Sequence, residues 1–83
     1  MNEEERQTKL ANLAHCKGQA ENAYDGMYEA HSFRDANLCY SDAKEFFYAA
    51  IGLADDLGLP EEADALRKHL EHVKSVFRSQ FAR

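Results

Sequence analysis

The chain is poor in the residues that punctuate and staple small folds. Its 83 residues include one proline, four glycines, two cysteines and no tryptophan. A many-turned β-sandwich or barrel needs a turn every 8–12 residues or so, and so few Gly and Pro cannot supply them. Two cysteines are too few for a disulfide-stapled mini-fold. No apolar run approaches the ~18 residues of a membrane helix. The first residues, Met1-Asn2-Glu3-Glu4-Glu5-Arg6, are acidic and polar, the reverse of a secretory or mitochondrial signal. A cytoplasmic location is therefore expected. Basic charge is also short, with 10 Lys+Arg against 15 Asp+Glu and a net charge of −5. That balance argues against nucleic acid and anionic membranes as partners. Gly-rich phosphate loops, Cys-x-x-Cys, His-Glu-x-x-His and Gly-x-Ser-x-Gly are all missing.

What remains is an ordinary apolar fraction, 45%, enough for a folded chain. The length fits one domain with a thin core. The apolar residues fall into three stripes at helical spacing. Leu10, Leu13, Lys17, Ala20, Tyr24, Met27 and His31 are separated by alternating steps of three and four, which places them along one side of a helix. The second stripe is Ala36, Tyr40, Ala43, Phe47, Ala50, Ala54 and Leu57, widened by Cys39, Phe46, Ile51 and Leu53. So broad an apolar arc suits a helix with two neighbours. Ala63, Leu66, Leu70, Val73, Phe77 and Phe81 form the third.

Boundary signals agree with the stripes. Ser32 followed by Asp35 resembles a capping box, and either residue can start the second helix. Leu57-Gly58-Leu59-Pro60 reads as a helix stop, with Gly58 left-handed, followed by a helix opened by Pro60. The expected fold is all-α, an up-down-up bundle of three long antiparallel helices over about 3–31, 35–57 and 60–81. Leu10 to His31, Ala36 to Leu57 and Pro60 to Phe81 are each 22 residues, roughly 33 Å at 1.5 Å per residue. Residues 1–83 would form a single helical domain, with 1–9 as a charged N-terminal overhang.

Chemistry-bearing residues give weaker signals. In an antiparallel pair Cys16 and Cys39 stand about 11 residues apart along the axis, ~16 Å, too far for a disulfide. His69 and His72 share the i, i+3 spacing of a possible metal pair, but nothing on another helix completes a set. His15 beside Cys16 diverges by about 100° around a helix. Asp25, Glu29, Asp35, Asp42, Glu45, Asp55 and Asp56 read as solvated surface. Lys17, on the first stripe, can lay its stem along the core and put its ammonium outside. No residue is singled out as catalytic, cofactor-binding or metal-binding.

The aromatics are more informative. Tyr28, Phe33, Leu38, Phe46 and Tyr48 exceed what a thin core needs, and they form the candidate interface. Small domains often gain stability by association. The expected function is therefore non-catalytic protein–protein interaction, with a protein partner or with itself as a homodimer. The alternative is a helical regulator that binds a small ligand or effector between its helices, in a site lined by Tyr24, Tyr40 and His31.

The stretch from Tyr28 to Val73 resembles one tetratricopeptide-type helical hairpin. The residues that carry the likeness are Asp35-Ala36, Tyr40, Ala43, Phe47 and Ala50, then Leu57-Gly58-Leu59-Pro60 and Ala63. It covers about half the chain, as a single unit. The resemblance implies a helical scaffold for protein or peptide partners and names no binding residue.

Overall fold

The computed structural model describes residues 1–81. They form three helices, α1 (Glu3–Glu29), α2 (Phe33–Asp56) and α3 (Pro60–Gln80), with no strand among the described residues. The helices run up, down and up, α1 packing on α2 and α2 on α3. The result is a thin rod, 47 × 19 × 12 Å.

Each helix start has a local cause. Asn2 accepts a hydrogen bond from the Glu5 N–H at 2.8 Å and caps α1, whose first turn carries Glu3, Glu4 and Glu5 at the positive end of the dipole. Ser32 Oγ accepts from the Asp35 N–H at 3.1 Å and caps α2. The second helix therefore starts at Phe33, two residues before the expected 35, and Asp35 sits inside its first turn. Similarly, α1 stops at Glu29 rather than 31, because Ala30 is extended to reach the Ser32 cap. His31 thus leaves the stripe and is exposed in the turn.

The α2–α3 connection is as expected. The Leu59 N–H reaches the Ala54 carbonyl at 2.9 Å and the Gly58 N–H reaches Asp55 at 3.1 Å, the paired bonds of a Schellman stop. Gly58 has φ +69°, a conformation that costs a side chain strain. Gly58→Ala should lower stability by about 1 kcal/mol. Gly18→Ala, in open space on the surface of α1, should raise it by roughly 0.5–1 kcal/mol. Urea denaturation followed by circular dichroism reads both.

Core positions recur at sevens in all three helices. Leu13, Ala20 and Met27 are buried on α1, Ala36, Ala43, Ala50 and Leu57 on and just beyond α2, and Ala63, Leu70 and Phe77 on α3. A seven-residue repeat keeps one seam facing the partner along a long rod, as in coiled coils. The α1–α2 seam is built from small residues, Ala20, Ala36, Ala43 and Ala50. Backbones approach closely there: a Cβ added at Gly26 would stand 3.0 Å from Cys39 Sγ. That contact and the Lys9–Asp56 ion pair at 3.7 Å set one antiparallel register. Residues 1–8 are all exposed.

Candidate interaction surface

The core does not close evenly along the rod. At the end where α1 stops, α2 begins and α3 finishes, it continues outward as a run of rings. Tyr40 stacks flat on Phe77, centroids 4.0 Å apart and planes within 5°. Phe77 also meets Phe33 at 5.9 Å and Phe81 at 5.8 Å. Phe81 meets Tyr28 edge-on at 6.2 Å, and Tyr28 meets Tyr24 at 5.4 Å. Phe77 is buried, Phe81 half-buried, and Tyr28 and Phe33 are 50% and 57% exposed. Apolar surface therefore runs without a break from the core to water.

The five candidate interface residues do not form one patch. Tyr28 and Phe33 join through Phe81 and Phe77. Tyr48 is exposed on the α2–α3 edge, where its phenol oxygen accepts from the Lys74 ammonium at 3.1 Å. That bond holds the Lys74 pKa above its ordinary value. Leu38 is exposed on α2 ten residues before Tyr48, about 80° from it around the helix and one turn from Arg34, Asp35 and Asp42. Phe46 departs from the expectation: it is half-buried and packs on the core. Phe46 lies seven residues from both Cys39 and Leu53, on the flank of α2 that turns toward α1.

Phe81 joins the series although its spacing, like that of Phe77, places it only on the core stripe. The signal for it was the pairing of Phe77 with Phe81 on the last turns of α3 and of Tyr24 with Tyr28 near the end of α1, both at i, i+4. In an up-down-up bundle these ends coincide. Comparison with known proteins adds nothing here: no family model, no curated protein and no solved structure matches the chain. The hairpins are those of any antiparallel bundle, with nothing specific to tetratricopeptide repeats.

The phenols of Tyr24 and Tyr28 lie 3.1 Å apart. Tyr24 is pushed up to about 12, first by that hydrogen bond, then by burial and the neighbouring charges of Tyr28 and Asp25. Its neutral form is favoured in the fold. The stability it contributes is complete below pH 10 and is lost as pH rises toward 12. In an ultraviolet pH titration phenolate formation should continue up to about pH 12. Phenolate formation in a single step near pH 10 would contradict this.

The remaining candidates have structural surroundings. His69 is half-buried, with its ring 4.8 Å from Phe47 and 5.8 Å from Tyr24. His72 is exposed and lies 6.2 Å from the same tyrosine. Among the described residues no group of three His, Cys, Asp or Glu is placed to hold a metal ion. Cys16 and Cys39 are both free and half-buried. Lys17 reaches out of its stripe position to pair with Glu62 at the start of α3, tying α1 to α3. The seven carboxylates from Asp25 to Asp56 noted above are exposed.

Tyr24, Tyr40 and His31 are not brought together. Tyr24 lies between α1 and α3, Tyr40 between α2 and α3, and His31 in a turn. An open groove of about 540 Å³ exists elsewhere, lined by Leu13, Lys17, Gly58, Leu59, Pro60, Glu61 and Glu62.

Proposed function

We propose that this protein acts without catalysis, through protein–protein contact, and that it associates with itself. The observation that carries the reading is the ring series at one end of the rod, where Tyr28 and Phe33 continue the core into solvent. Rigid aromatic side chains backed by packed neighbours lose little entropy on binding and bury much area, which is why they anchor interfaces. The exposed rings are few, so the contact belongs to the weak, transient class rather than to permanent dimers. A core this thin also gains from being covered.

Light scattering coupled to size exclusion tests this. The chain should show a concentration-dependent rise above 9.5 kDa when loaded near ~100 μM, the range of weak contacts. Tyr28→Ser with Phe33→Ser should abolish the rise while leaving helix content unchanged. A constant monomer mass for the parent protein would overturn the proposal.

A further inference from the structure

We propose that the seam between α2 and α3 at the aromatic end receives the acidic edge of α1 from a second copy of the chain. This rests on the self-association reading and names the surfaces that meet. The receiving seam is basic in an acidic protein. Lys44 lies 4.5 Å above the Tyr40 ring, and Lys74 holds Tyr48. Arg78 stands one turn beyond Lys74, and exposed Phe33 and Tyr48 flank the cations. The one carboxylate paired on this seam is Glu71, 3.5 Å from Lys74. Among the described residues Lys44 and Arg78 have no ion-pair partner.

The complement lies on the same chain, across the bundle. Glu21, Asp25 and Glu29 stand at i, i+4 and i+8 on α1, all exposed, with exposed Tyr28 beside them. None has a cation partner among the described residues. Like charges four apart repel, and Glu29 adds negative charge where the helix dipole is already negative, with no basic residue in that turn. Within one copy the row is unfavourable; against a row of cations it becomes favourable. The heights agree. In the register set by Gly26 against Cys39, Glu21 is level with Lys44 and Asp25 with Tyr40. Tyr40 is stacked on Phe77, next to Arg78. One copy's α1 edge can therefore lie along the neighbour's seam as a helix in a groove, with acids over cations and Tyr28 beside the rings.

The meeting faces are unlike, and they lie on opposite sides of the rod. Such a contact repeats, so the assembly continues past the dimer as concentration rises.

A charge exchange tests it. One variant carries Glu21→Lys, Asp25→Lys and Glu29→Lys; the other carries Lys44→Glu and Arg78→Glu. Each alone should associate roughly tenfold more weakly than the parent, or worse, because several exposed pairs are reversed together. An equimolar mixture should recover association, since each variant then offers the face that the other lacks. Circular dichroism verifies folding, and Lys44→Gln with Arg78→Gln gives a milder set that should weaken association in the same direction. A parent that associates while both variants match it, or a mixture that stays monomeric, overturns the proposed surfaces and leaves self-association standing. A parent that stays monomeric overturns both.

Discussion

Phe47→Ala should remove about 3–5 kcal/mol of folding stability, the cost of deleting a fully buried ring and leaving its cavity. Phe47 is 1% exposed and is the largest fully buried side chain on α2. It sits at the level where all three helices meet: its ring faces His69 of α3, which in turn contacts Tyr24 of α1. No other large side chain can swing into the gap without leaving its own heptad position. A domain of 83 residues has roughly 4–12 kcal/mol in total. The variant should therefore lose a large share of its total stability, and the loss is read by urea denaturation. A change under about 1 kcal/mol would mean that the centre of the rod is loosely packed.

Ala43→Leu should be nearly as damaging for the opposite reason. Ala43 has no exposed surface and lies in the seam of small residues between α1 and α2. Added methylenes there have no void to enter and must push the two backbones apart. Overpacking of this kind costs typically about 1–3 kcal/mol, occasionally more. The displacement runs along a long straight contact, so the upper part of that range is expected. Ala49→Leu on the exposed side of the same helix provides the control and should change stability by less than about 0.5 kcal/mol. Equal effects at the two positions would contradict the close α1–α2 packing.

These two substitutions also show what was legible in the residue order. The helices and their partners were legible because heptad spacing is a property of sequence: residues 13, 20 and 27 face inward whatever surrounds them. The stop at Gly58 and the start at Pro60 were legible for the same local reason, since left-handed backbone and a missing N–H are intrinsic to those residues. The end of α1 was not. Ala30 and His31 have no strong preference, and the break falls where Ser32 captures an N–H of the next helix. Phe46, on the edge of the second stripe and also an interface candidate, could be read either way. A flank position is covered or bare according to how closely the neighbouring helix approaches, and the small residues that allow that approach lie on both chain segments. The ring series at the end of the rod depends on three helices finishing at one level, so its members could be nominated singly but not joined.

The functional account stands on that joined surface. The most direct measurement is a dilution series of amide proton–nitrogen spectra on the labelled protein, from ~500 μM down to ~20 μM, which spans the range of weak contacts. The account predicts concentration-dependent shifts confined to the aromatic end, around Tyr28, Phe33 and Phe77 to Phe81, and to the edges carrying Glu21, Asp25, Lys44 and Lys74. The acidic turn at Gly58 and Pro60 should stay unchanged. Spectra that superimpose over the whole series, or shifts centred on Leu38 and the outer face of α2, would contradict it.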